Sequence, residues 1–301
     1  MAERTKNLHI LLDPANRPAF AAHDRTWSNH RYVYAVVSRR SGGISIGVNL
    51  NPNKACNFDC IYCSVDRRVP ALPGSDSPVD PALVQTELER MLTLFQSGEI
   101  FRLEPFAGIA PELRRLNDVA FSGDGEPTTC PQFPRCCRIA ADVLQRAGMA
   151  HVKIVVITNA TMFHRPGVRE ALAFLDARQG EIWAKLDAGT PEYYRMVDRT
   201  GISLEKVLAN ILWCARQRPT VIQTLLLRVR GEPPPESEIT AYIRRLGDIL
   251  REGGRIKLVQ LYTVARRPAE AYAAALAPEQ LLAVAARLRD ELPSLAVEVY
   301  P

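Results

Sequence analysis

The chain has 301 residues, enough for one large core, and its 38 basic and 33 acidic side chains leave it mildly basic at +5. That charge is compatible with anionic partners, nucleic acid included, and selects none of them. No run approaches the roughly 18 apolar residues that span a bilayer, and the start, Met1-Ala-Glu-Arg-Thr-Lys6, lacks a secretory signal's apolar core. The expectation is a soluble, cytoplasmic protein with no membrane partner.

After a polar lead of about thirty residues, short β-branched runs alternate with amphipathic helical runs. Strands are expected at Ile44–Leu50, Asp118–Ser122, Lys153–Thr158, Ile182–Asp187, Val221–Leu227 and Ile256–Tyr262. The Pro/Ser/Asp stretch from Val69 to Pro81 reads as a surface loop. Asp80-Pro81 then caps a helix with the apolar stripe Val84, Leu88, Met91, Leu92 and Phe95, and Gly98 ends it. Ser203 caps a stripe of Val207, Ile211 and Cys214, and Ile239, Tyr242, Ile243, Leu246 and Ile249 mark a helix that stops near Gly253-Gly254. Parallel strands joined by crossover helices are the α/β class, here a partial (β/α)6 barrel of parallel strands with N-terminal and C-terminal extensions. Residues 1–43 are expected to pack on the barrel, 44–266 to form it, and 267–301 to add a C-terminal helix and extension, all within one structural domain.

The strongest local signal is Cys56-Asn-Phe-Asp-Cys60-Ile-Tyr-Cys63, which follows the first expected strand. Three thiolates in one loop can hold a metal centre. A closed zinc site or an ordinary four-iron cluster takes four protein ligands, so a set of three leaves one position open. The alternative is a noncatalytic zinc or electron-transfer module in which Cys130, Cys136 or Cys137 supplies the fourth ligand. Cys136, Cys137 and Cys214 fall in helical patterns and read as packing residues, while the role of Cys130 stays open.

Other chemistry-bearing residues follow strand ends, where barrel sites gather. Gly123-Asp-Gly125-Glu126-Pro127 lets backbone approach a ligand closely and offers Glu126 as an acceptor for an ammonium group; a simple turn is the plainer reading. Lys185 and Asp187 share one face of their strand, for a bound ligand or for an internal ion pair. Asn159 suits a ribose or a turn, and Tyr62 can flank a flat ring. Arg39, Arg40, Arg228, Arg230 and Tyr262 are candidate substrate residues for an anionic ligand, with Trp27, His30, Tyr32 and Tyr34 available to stack on bases.

The cysteine spacing, with Tyr62 before the last cysteine, resembles the radical S-adenosylmethionine superfamily. Tyr34-Ala-Val-Val-Ser-Arg-Arg40, Ser45-Ile-Gly-Val-Asn49, Phe121-Ser-Gly-Asp-Gly-Glu-Pro-Thr128, Lys185-Leu-Asp-Ala-Gly189 and Val259-Gln-Leu-Tyr-Thr-Val-Ala-Arg266 are similar to its wyosine-related iron–sulfur branch, over roughly residues 32 to 270. The resemblance implies that Cys56, Cys60 and Cys63 hold a [4Fe-4S] cluster whose fourth iron takes S-adenosylmethionine. It implies that Gly125 and Glu126 meet the amino group of that cofactor, and that Lys185 and Asp187 lie near its carboxylate and ribose. An electron donor such as flavodoxin or ferredoxin would supply the electron. The best-known members of the branch rebuild a guanosine of transfer RNA using pyruvate, and carry a second, N-terminal cysteine set. No cysteine precedes Cys56 here, so the expectation is a single cluster and a radical reaction on an unidentified anionic metabolite or RNA.

Overall fold

The computed structural model describes residues 19–20, 25, 27–71 and 73–301. Eight strands form one sheet in the order β1-β2-β3-β4-β5-β6-β8-β10. The strands are β1 (Val33–Ser38), β2 (Gly43–Val48), β3 (Leu116–Phe121), β4 (Lys153–Thr158), β5 (Gly180–Lys185), β6 (Thr220–Leu225), β8 (Ile256–Tyr262) and β10 (Val297–Tyr300). Two short strands, β7 (Leu227–Val229) and β9 (Ala273–Ala275), pair antiparallel on their own. The helices are α1 (Pro81–Gln96), α2 (Phe133–Arg146), α3 (Pro166–Asp176), α4 (Pro191–Asp198), α5 (Leu204–Gln217), α6 (Glu236–Arg251) and α7 (Pro278–Glu291). This is the α/β order of a partial (β/α) barrel, and β2, β3, β4, β5, β6 and β8 are the six expected strands. Among the described residues, no helix is long and apolar enough to cross a membrane.

The chain divides into two compact units. The first holds the described residues up to Ala55, 73–156 and Glu170–Glu181. In it β1 and β2 form an antiparallel hairpin, and β2–β3 and β3–β4 pair parallel. The lead expected to be an extension therefore supplies an edge strand. Tyr34 stands opposite Gly47 in that hairpin, and its hydroxyl lies 3.1 Å from Ser122 Oγ. A Cβ at Gly47 would fall 2.1 Å from the Tyr34 ring, so the ring occupies the space that glycine leaves. Helix α1 starts as expected, with Asp80 accepting from Ala82 N at 2.9 Å and Pro81 opening the first turn. It buries Val84, Leu88, Met91 and Leu92. Glu87 is also buried, because its carboxylate accepts from the backbone N–H groups of Arg31, Tyr32 and Val33 at 2.7, 2.8 and 3.1 Å. Three such bonds offset the desolvation of one carboxylate and fix the entry to β1.

The second unit holds Cys56–Ala71, Ile157–Arg169 and Ile182–Pro301. Here β5–β6, β6–β8 and β8–β10 pair parallel. The C-terminal extension thus ends in a strand, Val297–Tyr300, whose Val297 and Val299 are buried. Ser203 caps α5 through Lys206 N at 3.3 Å. Glu238, buried in the first turn of α6, accepts from Gly189 N at 2.5 Å and from Thr190 N at 3.2 Å. Gly189 lies so close to α6 that a Cβ would meet Tyr242 N at 2.1 Å, which accounts for a glycine two residues after Asp187.

Candidate metal and cofactor site

In the first unit, the loops that follow β2 and β3 lock together through Asn49 and Asp124. Asn49 Oδ1 accepts from Asn51 N at 3.0 Å and Asp124 N at 3.1 Å, while its Nδ2 donates to Asp124 Oδ2 at 2.6 Å. Arg25 pairs with the other oxygen of Asp124 at 2.6 Å. Gly123 and Gly125 permit this approach: added Cβ atoms would lie 2.4 Å from Asn49 Oδ1 and 2.0 Å from the Ala55 carbonyl oxygen. Glu126 is buried, and its Oε1 accepts from Thr128 N at 3.1 Å and from the Thr128 hydroxyl, capping the single turn Pro127–Thr129. The turn reading is therefore met, with Glu126 as its cap. Arg39 and Arg40 lie elsewhere, on the turn from β1 to β2. That turn is at the N-terminal end of β2, whereas the Asn49 and Gly123 loops follow the C-terminal ends of β2 and β3. Burial and the adjacent Arg40 charge hold the Arg39 guanidinium below its ordinary range.

In the second unit, the cysteine loop is strapped to the end of α4. Asp59 N and Ile61 N donate to the carbonyls of Asp198 and Val197 at 3.2 and 2.9 Å, satisfying acceptors that a helix terminus leaves open. Arg199, at φ 43°, donates from Nε to the Asp59 carbonyl at 2.6 Å and pairs with Asp59 and Glu270 at 3.0 and 2.5 Å. Asn159 Nδ2 donates to Asn57 Oδ1 at 2.7 Å, and Asn57 Nδ2 donates to Thr161 Oγ1 at 2.7 Å. Asn159 therefore serves both its own turn, through Thr161, and the cysteine loop.

Four residues singled out from the sequence converge here. The Tyr62 hydroxyl donates to Asp187 Oδ2 at 2.5 Å and reaches Asp198 Oδ1 at 3.1 Å. Lys185 Nζ lies 3.1 Å from Asp187 and donates to the Tyr262 hydroxyl at 2.6 Å. It also stands 5.1 Å from the centroid of each tyrosine ring, Tyr62 and Tyr262. Leu225 N donates to Asp187 Oδ1 at 2.7 Å. Burial works against the Lys185 charge, but Asp187 and Tyr262 outweigh it and raise its pKa. Burial and the Asp187 charge push the Asp198 carboxyl up. Arg228 and Arg230 are placed differently. Arg228 Nη2 donates to Gln280 Oε1 at 3.0 Å, and Arg230 lies over the Tyr272 ring at 5.6 Å.

Asp198, Asn57 and Arg67 complete this surround and were not expected. Cys60 Sγ lies 3.5 Å from Asp198 Oδ1, and Arg67 Nη1 donates to Cys63 Sγ at 3.3 Å. Asn57 lies inside the cysteine motif and Arg67 four residues beyond Cys63, so their places in the sequence were signals; Asp198 had none.

None of the seven cysteines is in a disulfide, and only Cys56, Cys60 and Cys63 are partly exposed; Cys130, Cys136, Cys137 and Cys214 are buried. Burial pushes the Cys136 thiol up to about 12 and raises Cys137 and Cys130 as well, but burial and the Asp198 charge also raise Cys60, so exposure and not acidity sets the loop cysteines apart. Among the described residues, no three His, Cys, Asp or Glu side chains converge on a point that would hold one metal ion. A closed zinc site needs that convergence. A cluster does not, since each thiolate binds a different iron. The donor chemistry of the loop, three soft sulfurs with a guanidinium at one of them, fits an iron–sulfur cluster.

The Radical SAM superfamily profile matches residues 50–232, and the chain belongs to that superfamily as an enzyme of the radical S-adenosylmethionine class. Among curated relatives, a UPF0026 protein of Helicobacter pylori (strain ATCC 700392 / 26695) is 24% identical over 259 residues, 84% of this chain and 72% of that protein. Streptococcus suis SuiB, solved with S-adenosylmethionine bound, shares the fold at a TM-score of 0.55 and 14% identity, over 84% of this chain and 50% of SuiB. TYW1, solved with a lysine–pyruvate adduct bound, matches at a TM-score of 0.51 and 16% identity, over 93% of this chain and 82% of its own. The chain spans about half the length of SuiB, and these two likenesses are of fold.

Proposed function

We propose that this enzyme reductively cleaves S-adenosylmethionine at a single [4Fe-4S] cluster and abstracts hydrogen from an anionic substrate, a metabolite or an RNA. The observation that carries the reading is the loop Cys56–Cys63: its three partly exposed thiols, none in a disulfide, lie within the superfamily match, and the loop is held by hydrogen bonds to α4, Asn159 and Asp187. When bound, the cluster and its cofactor supply a 5′-deoxyadenosyl radical. The chain's own residues hold and orient. Cys56, Cys60 and Cys63 would ligate three irons, and the tethered loop keeps their spacing fixed. Gly125 would admit the cofactor to the backbone, and Glu126 would accept from its amino group. Tyr62, Lys185, Asp187 and Asn159 would line its remaining polar groups, with Lys185 held as a cation. Tyr262 is proposed to face the substrate, and flavodoxin or ferredoxin to deliver the electron.

Anaerobic reconstitution with iron and sulfide tests this reading. About four irons per chain and dithionite-dependent release of 5′-deoxyadenosine are expected, and C60A should lose both. One zinc and no iron, or full activity in C60A, would overturn it. Binding of bulk transfer RNA, measured over a range of salt, separates an RNA substrate from a small anion.

A further inference from the structure

Arg67 is a charged donor aimed at a sulfur. It follows Cys63 by four residues, it is partly buried, and its Nη1 donates to Cys63 Sγ at 3.3 Å. Burial works to lower its pKa, but the negative charge expected at Cys63 and Cys56, with that of Asp59, outweighs it and raises it. Arginine stays protonated under all working conditions, so this is a permanent positive charge against the last cysteine of the loop. The middle cysteine has the opposite neighbour: Cys60 Sγ stands 3.5 Å from the buried carboxyl of Asp198. The next arginine is different again, because Arg68 is exposed and is paired with Asp66 at 2.9 Å.

We propose that Arg67 is a tuning residue that raises the reduction potential of the cluster through its hydrogen bond to the Cys63 sulfur. The inference rests on the proposed cluster ligation by Cys56, Cys60 and Cys63. One-electron reduction, by dithionite in the assay, adds a negative charge that is spread over the ligating sulfurs. A guanidinium N–H on one of them stabilises the reduced form more than the oxidised form. Hydrogen bonds to charged groups contribute enough that their loss should change the equilibrium constant for reduction about tenfold. For a one-electron couple that is about 59 mV.

The experiment is a potentiometric titration of the reconstituted full-length enzyme, followed by the electron paramagnetic resonance signal of the reduced cluster, for wild type, R67M, R67K and R68M. R67M should keep the wild-type iron content and shift its midpoint about tenfold in equilibrium constant to more negative potential. R67K, which keeps the charge without the planar fork, should shift less, and R68M should not shift. An R67M cluster of full iron content with the wild-type midpoint would overturn the inference. If R67M takes up no iron, R67K decides: a wild-type midpoint there overturns the inference, and a negative shift sustains it. Failure of the cluster reading itself has another signature, a wild-type protein that takes up zinc or no metal at all.

Discussion

Tyr62 donates its hydroxyl hydrogen to Asp187 at 2.5 Å with Asp198 close by at 3.1 Å, so the residue before Cys63 is tied to the segment after β5 and to the end of α4. Both carboxylates are buried, and Tyr62 is a donor they share. Y62F would leave them with less compensation, and the unfolding free energy should fall by about 1–3 kcal/mol. Denaturant unfolding of the apoprotein measures this. The same variant should reconstitute with less iron, because the loop loses an anchor next to a ligand.

The close approach of Gly125 to the chain before Cys56 gives a second test. A Cβ there would stand 2.0 Å from the Ala55 carbonyl oxygen and 2.9 Å from Asn51 Cβ. A backbone oxygen cannot rotate away, so one of the two loops must move. G125A should cost roughly 1–3 kcal/mol or more, and it should weaken S-adenosylmethionine binding measured by calorimetry on the reconstituted protein. G108A is the control: nothing lies within 4 Å of its added Cβ, and its effect should stay within about 0.5 kcal/mol.

The strands that were legible are those whose β-branched runs alternate with helical stripes: Ile44, Ile46 and Val48 of β2, or Ile154, Val155 and Val156 of β4, are buried to within a few per cent. The ones missed lack either the run or the rhythm. Ala273–Ala275 has no intrinsic strand preference and pairs because Leu227–Val229 lies opposite. Val33–Ser38 joins the sheet through a hairpin, not a crossover, so the alternating pattern passes over it. At the site, the same-face rule correctly put Lys185 with Asp187, and Tyr62 and Tyr262 join them. Asp198 could not be found that way. It reaches Cys60 across 138 residues of sequence, through the docking of α4 on the loop, and no spacing encodes that.

Asp118 gives the pH dependence its sign. Its buried carboxylate accepts from the hydroxyls of Ser41 and Ser45, yet desolvation outweighs those bonds and raises its pKa. The folded state therefore favours the protonated form. The stabilising contribution is fully present below the unfolded value of about 3.9. It is lost as pH rises through the folded value, where ionisation inside the fold costs free energy. D118N cannot ionise. The difference in melting temperature between D118N and wild-type apoprotein should move in favour of the variant between about pH 4 and about pH 7. A difference that stays constant across that range would show that Asp118 titrates as in the unfolded chain.

Lys185 has the opposite sign and an independent readout. Its ammonium is paired with Asp187 at 3.1 Å, bonded to Tyr262 at 2.6 Å and flanked by two aromatic rings. Its pKa is raised in the fold, so its stabilising contribution is complete below the unfolded value of about 10.4. That contribution is lost only as pH climbs through the higher folded value. Wild-type apoprotein should therefore hold its stability to about pH 10 and lose it above, with a shallower loss in K185M. A lysine held protonated is also a poor nucleophile. Reductive methylation at about pH 8, read by peptide mass spectrometry, should modify the exposed Lys153, Lys206 and Lys257 and leave Lys185 unmodified. If Lys185 were methylated as fast as those three, its ammonium would not be held by Asp187 and Tyr262, and the alkaline loss of stability would have to come from another group.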